Sequence, residues 1–276
     1  MYRYLRYVPK NRLSRTIGRL VHARWPRPIA RRLVHWFART YEIDVDAAGM
    51  PLHDYPSIGH FFTRDLREGL RPIEGDFVSP VDGVLRNFGN VDGGRLEQIK
   101  GKTYTVERFL GDASHAQRYD GGAFFNLYLS PQDYHHVHAP VSGNIVRSVH
   151  IPGMLWPVND WSLANIDELF SINERVVTYI DTPSLGLVAV VMIGATNVGK
   201  ISVIYDNFIS NVAGTSRPAT RDYAPPIAIE AGDRLGTFHM GSSVVMLLEP
   251  GRVDLERVRL HAAKKVHYGA AVLHRH

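Results

Sequence analysis

Between residues 77 and 249 the chain repeats one pattern, and that pattern limits the fold more than any other feature. Short apolar runs at 77–81, 83–88, 122–129, 144–151, 175–180, 186–193, 200–205, 226–230 and 244–249 are separated by glycine, asparagine or proline. Runs this short suit strands, because a helix needs ten or more residues to bury a useful face. Many short strands with turn signals between them predict a mainly β body of the α+β kind, built as a sandwich or barrel-like fold. At 276 residues and 45% hydrophobic content the chain can bury a full core. The best candidate for a membrane span, 185–199, is uncharged but contains Gly186, Gly194, Thr196 and Asn197, so it reads as buried strands instead. The chain has no cysteine, which excludes disulfides, thiolate catalysis and cysteine-based metal sites and fits a reducing compartment.

The first fifty residues differ in kind. Residues 1–40 hold eleven arginines and lysines and no acid, against a net charge of +5 for the whole chain, so residues 41–276 carry −6. Leu13, Ile17, Leu20, Val21 and Trp25 recur at helical spacing, Pro26 and Pro28 interrupt, and Ile29, Leu33, Val34, Trp36 and Phe37 resume it. We therefore expect two basic amphipathic helices in a membrane-associating region, 1–50, followed by a β-rich catalytic domain, 51–276. The simpler alternative is a helical cap with its arginines in water. Each basic residue near an anionic bilayer contributes about 1 kcal/mol, which favours an anionic membrane surface as partner. No nucleic-acid motif accompanies the charge, so nucleic acid is not expected. The amino terminus lacks the uninterrupted apolar core and cleavage site of a signal peptide.

Three stretches of the body carry chemistry. Ser79-Pro80-Val81-Asp82-Gly83 places a carboxylate at a tight turn, although Asp-Gly is also a common turn pair. In Leu129-Ser130-Pro131-Gln132-Asp133-Tyr134-His135-His136-Val137-His138, Ser130 and Asp133 stand where a capping box wants them. A helical turn there brings His135 and His138 to one side, whereas a strand pairs His136 with His138. Three clustered histidines raise a metal site, but no further ligand follows at recognisable spacing, so acid–base work is the better expectation and no metal is assigned. His136 reads as a solvent-exposed residue. The third stretch is Gly241-Ser242-Ser243, before a buried run. A glycine carbonyl is open to close approach, and a hydroxyl one residue on can attack it if a base removes its proton.

Taken in order, Phe61-Phe62-x-Arg64-x-Leu66, Arg71-Pro72-Ile73, Pro80-x-Asp82-Gly83, Asp133-Tyr134-His135-x-Val137-His138-x-Pro140, Asn173-Glu174-Arg175, Gly194-Ala195-Thr196 and Gly241-Ser242-Ser243 resemble the phosphatidylserine decarboxylases over residues 54–250. The resemblance implies a barrel-sandwich or duplicated-hybrid β body. It implies a triad in which Asp82 orients His138, and His138 takes the proton from Ser242. Ser242 Oγ then attacks the Gly241 carbonyl, and the ester formed is eliminated and hydrolysed. That cut at 241/242 leaves a β chain, 1–241, and an α chain, 242–276, headed by a pyruvoyl group made from Ser242. This cofactor condenses with the head-group amine of phosphatidylserine as a Schiff base and acts as electron sink for decarboxylation to phosphatidylethanolamine. His135 is implied as the proton donor to the α carbon. The α/β heterodimer, a further homodimer and a peripheral position on the cytoplasmic face of a bacterial-type cell membrane follow from the same likeness. His136 stands where arginine is frequent, and Ser243 where threonine is frequent. Two other readings of the residues stay open: a serine hydrolase using Asp82, His138 and Ser242 with an intact backbone, and a non-catalytic membrane-binding β module. The usual nucleophile elbow, Gly-x-Ser-x-Gly, is absent, which weighs against the first of these.

Overall fold

A computed structural model describes residues 10–99, 101–196, 200–211, 217–239 and 243–274. Among them run thirteen strands: β1 (Gly83–Asn90), β2 (Arg95–Ile99), β3 (Lys102–Thr105), β4 (Ala123–Tyr128), β5 (His136–His138), β6 (Gly143–Ile151), β7 (Arg175–Thr182), β8 (Gly186–Ile193), β9 (Ile201–Val203), β10 (Ala219–Ile229), β11 (Arg234–Phe238), β12 (Ser243–Leu248) and β13 (Lys265–Val266). The main sheet is antiparallel and ordered β10-β6-β7-β8-β12-β4-β1-β13, and a smaller one is ordered β5-β11-β9. The fold is thus mainly β, as the run pattern predicts, and its sheets are open.

Burial explains the order. β8 and β12 are continuous apolar runs because both of their faces are covered; all six residues of β12 are buried. They lie inside the sheet, with β12 hydrogen-bonded to β4 on one side and β8 on the other. At the opposite extreme β10, largely exposed and carrying Pro225 and Pro226, forms an edge, where a missing N–H costs no ladder bond. The small sheet shares the same core: Val137, Ile201 and Leu235 join Phe125, Val190 and Met246 in one apolar cluster.

Helix α1 (Lys10–His22) and helix α2 (Arg27–Thr40) occupy the basic segment, split at the expected prolines, with Pro28 in the first turn of α2. Val34, Phe37 and Ala38 of α2 form a second, smaller core with Ile43, Ala48, Tyr55, Phe61 and Phe62, so residues on both sides of position 50 pack together. Leu20, Trp25, Ile29 and Trp36 are exposed, as are Arg24, Arg27, Arg31, Arg32 and Arg39. No helix among the described residues is long and apolar enough to cross a membrane. A short helix, α3 (Ile58–Phe62), follows, its start set by Ser57, whose side chain accepts from His60 N.

Two further departures have local causes. Residues 77–81 form no strand beyond a single bridge from Val78 to Ala271; Val78 N and Ser79 N donate instead to Pro140 and Ala270, from segments flanking the turn. The β2–β3 hairpin carries a weak apolar signal, because buried Leu96 and Tyr104 stand among charged and polar residues.

Candidate active site

Asp82, Tyr128, Ile193 and Ser243 gather at one end of the main sheet. Asp82 precedes β1, Tyr128 ends β4, Ile193 ends β8 and Ser243 opens β12, where it is paired with both Tyr128 and Ile193. Gly83 lets β1 start this close: a Cβ there would sit 2.4 Å from the Tyr128 carbonyl oxygen. The chain then passes from β4 through a turn at 130–135 into β5 of the small sheet. It returns along β11, whose last residue, Phe238, donates its N–H to the His135 carbonyl. Residues 240–242 connect β11 to β12, so Gly241 and Ser242, the expected cut, fall outside the described residues. Ser243 is buried, and its hydroxyl has no partner among the described residues.

Of the two backbone options for the histidines, the strand is the one formed. His136 and His138 lie on β5, paired with Thr237 and Arg234 of β11. Ser130 and Asp133 do meet as a capping box would have them, Asp133 Oδ2 accepting from Ser130 N at 2.7 Å and from its hydroxyl at 2.6 Å, but they close a turn without a helix.

The tautomer of His138 follows from its partners. Nδ1 lies 2.6 Å from the Gly232 carbonyl oxygen, which can only accept, so Nδ1 carries the hydrogen. Nε2 is left with a lone pair, and the Tyr134 hydroxyl donates to it across 3.3 Å. One face of the ring lies flat on Tyr268, with centroids 3.9 Å apart and planes 4° from parallel. Burial holds its pKa down to about 4 against the support of the Gly232 bond and the Asp82 charge, so at neutral pH the ring is a free base.

Asp82 makes no hydrogen bond to His138 among the described residues; its charge reaches the imidazole without one. Its carboxylate is taken by Arg71 at 2.7 Å, by the Tyr268 backbone N–H at 2.9 Å and by His267 Nδ1 at 3.3 Å. A buried carboxylate accepts the strongest donors in reach, and a bidentate guanidinium outcompetes a neutral imidazole already bound elsewhere. Burial alone would raise the Asp82 pKa; the bonds from His267, Arg71 and Tyr268 outweigh it and hold the group below the usual carboxylate range.

His135 is fully buried, with its ring 3.8 Å from that of Phe62. Nδ1 donates to the Asp133 carbonyl at 2.8 Å, while Nε2 has no partner among the described residues. Burial, then the nearby Arg64 cation, keep its pKa well below 6.5. His136 corrects the expectation of an exposed residue: it is buried, with Nδ1 2.7 Å from Thr237 Oγ1 and Nε2 donating to the Thr63 carbonyl at 3.2 Å. Among the described residues no group of three histidines or acids is placed to hold a metal ion.

These rings bear on stability. Burial lowers His136 to about 3, His138 to about 4 and His239 to about 4. The unfolded chain binds protons at these positions near 6.5, so it holds more of them than the folded chain below that pH. Stability from these groups is complete above about pH 6.5 and is lost as pH falls through about 4. Urea unfolding of the full chain should give a midpoint that climbs from about pH 4 to about pH 6.5 and then levels; a flat midpoint across that range would contradict these environments.

Sequence reading alone missed Arg71 as the partner of Asp82, although it stands in a quoted motif, and missed Tyr134, four residues before His138. It also missed Tyr268, which no local pattern marks. The model of the phosphatidylserine decarboxylase family matches residues 58–274, so the likeness runs past residue 250 and takes in Tyr268. A phosphatidylserine decarboxylase proenzyme of Anaeromyxobacter sp. (strain K) is 45% identical over 257 residues, 91% of this chain and 90% of that relative. Proenzymes of the same description from Myxococcus xanthus and Brevibacillus brevis are 42% and 38% identical, each over 90% of this chain and over 89% and 88% of the relative. The chain belongs to the phosphatidylserine decarboxylase family. It is therefore a member of a family of carboxy-lyases, and Asp82, His135, His138 and Ser243 all fall inside the span matched to that family.

Proposed function

We propose that this chain decarboxylates phosphatidylserine to phosphatidylethanolamine with a pyruvoyl group cut from its own Ser242. The observation that carries the proposal is the state of His138: its Nδ1 hydrogen is committed to Gly232, so Nε2 is a neutral base at physiological pH. In the proposed first stage His138 Nε2 takes the Ser242 hydroxyl proton. Ser242 Oγ attacks the Gly241 carbonyl carbon, the Gly241–Ser242 amide becomes an ester, and the amine is left on residue 242. Loss of the Ser242 α proton then breaks the Cβ–Oγ bond, releasing residues 1–241 with a free carboxylate. Water hydrolyses the enamine left behind, ammonia departs and a ketone remains at 242. Asp82 serves His138 by its negative charge rather than by a bond.

The residues present fit such a group. His135 Nε2 and Ser243 Oγ are buried polar atoms without partners among the described residues, and Ser243 follows position 242 directly in the chain. When bound, the ketone supplies an electron sink for the pair left as carbon dioxide departs. His135 Nε2 carries a lone pair in this structure, so it must gain a proton before it can give one. We assign it the proton of the head-group ammonium, which it later delivers to the α carbon. His135→Ala should cleave normally yet turn over about 10² to 10⁴ times more slowly, measured as carbon dioxide released from phosphatidylserine. Wild-type turnover would remove the assignment.

The same proposal makes residues 1–50 a membrane-docking unit and 51–276 the catalytic domain, with the body of barrel-sandwich or duplicated-hybrid type. Exposed Leu20, Trp25, Ile29 and Trp36 among exposed arginines suit the surface of an anionic bilayer, and support a peripheral position on the cytoplasmic face of a bacterial-type cell membrane. The α/β pair and a further homodimer belong to the proposal as well. In vesicle sedimentation the full chain should bind phosphatidylserine-containing vesicles at least about tenfold better than neutral ones, and lose most of that advantage at about 1 M salt. Equal binding to both would argue for a cap with its arginines in water.

A further inference from the structure

We propose that Tyr268 is the positioning residue for the processing base: it links the Asp82 carboxylate to the His138 ring, which share no hydrogen bond, and shields His138 from water. The inference rests on His138 being that base.

Three observations meet at this residue. Its backbone N–H donates to Asp82 Oδ1 at 2.9 Å, and its ring lies against His138 nearly parallel at 3.9 Å. Tyr134, whose hydroxyl reaches His138 Nε2, stacks on the same ring with centroids 5.6 Å apart. One residue thus ties the carboxylate to the imidazole without a hydrogen bond between them. Its own placement comes from the sheet: β13 pairs Val266 with Gly83 and Lys265 with Val84, which brings 267–269 alongside the Asp82 turn. Gly269, at φ +83°, then donates to Ser79 and accepts from Glu74, locking the segment on its far side.

The work such a ring does is twofold. Stacking restrains rotation of the imidazole about its Cβ–Cγ bond, so Nε2 keeps one direction. Covering the ring face keeps water away, and burial is what favours the neutral, proton-accepting form. The other charged or titratable groups facing His138 are Tyr134 on the turn before β5, His136 on β5, Arg234 on β11, Asp233 just before β11, and Asp82 before β1. All of them remain when Tyr268 is changed, so a shift in the titration of His138 reports on the ring itself.

The test follows self-cleavage of the full-length chain made by cell-free translation, from about pH 3.5 to about pH 8. Tyr268→Leu should slow cleavage at neutral pH by about tenfold and move the acid limb of the rate–pH profile upward by about one unit. Tyr268→Phe, which keeps the flat ring, should restore both rate and profile. If Tyr268→Leu leaves rate and limb unchanged, or lowers the rate equally at every pH, the proposal fails. If that variant does not fold, Tyr268→Phe and Tyr268→Trp decide: a displaced acid limb in Tyr268→Phe overturns the proposal, and native limbs in both support it. His138→Gln in the same assay separates the two claims. Cleavage of that chain at the native rate would remove the base reading, whatever the Tyr268 variants do.

Discussion

Ser242→Ala is expected to run as one unbroken band on a denaturing gel and to release no carbon dioxide from phosphatidylserine. The native chain should run as two, a large fragment ending at residue 241 and a small one covering 242–276 whose blocked end reacts with carbonyl reagents. The expected loss of cleavage exceeds about 10⁴-fold, because the variant has no nucleophile and the amide has no other route to the ester. Loss of turnover should be equally complete, since the missing oxygen chemistry is also the source of the ketone. The substitution removes one oxygen at the position directly before β12, whose six residues are buried and paired with β4, five of them with β8 as well. A single band for the native chain, labelled by a serine-directed phosphonate, would instead make the chain a hydrolase.

His138→Gln should accumulate the same uncut chain, with cleavage slowed by at least about 10³-fold. Glutamine is close in size and can still donate toward Gly232, so β5 keeps its pairing with β11. What it lacks is a nitrogen lone pair able to take the Ser242 proton. The comparison with His135→Ala then divides the two stages, because that variant should be cut and yet fail in turnover. A His138→Gln chain that matures normally would leave the buried, tautomer-fixed imidazole without its proposed task.

The sheet was legible because its inner strands are almost wholly apolar: β8 and, after Ser243, β12 announce themselves by composition alone. Helices α1 and α2 were legible from spacing and from the prolines that part them. Asp82, His135 and His138 stood out because turn chemistry and clustered imidazoles are local. The contacts among them were not legible. Arg71 reaches Asp82 across eleven residues and Tyr268 across 186, and such meetings are products of strand pairing rather than of any window of sequence. His136 misled because polarity suggests water, whereas Thr237 and the Thr63 carbonyl satisfy both its nitrogens inside the protein.

The place of β12 has one more consequence. Once cut, residues 242–276 would hold two strands, and every strand they pair with belongs to the other piece: β4 and β8 flank β12, and β1 carries β13. The small product has no sheet of its own to retreat into, and the large one keeps β10-β6-β7-β8 and β4-β1 parted where β12 stood. Maturation of this kind severs covalent continuity without granting independence, and the reactive end stays anchored by a ladder on each side. On the proposed route the sheet assembles from an intact chain before its inner strand acquires a new beginning.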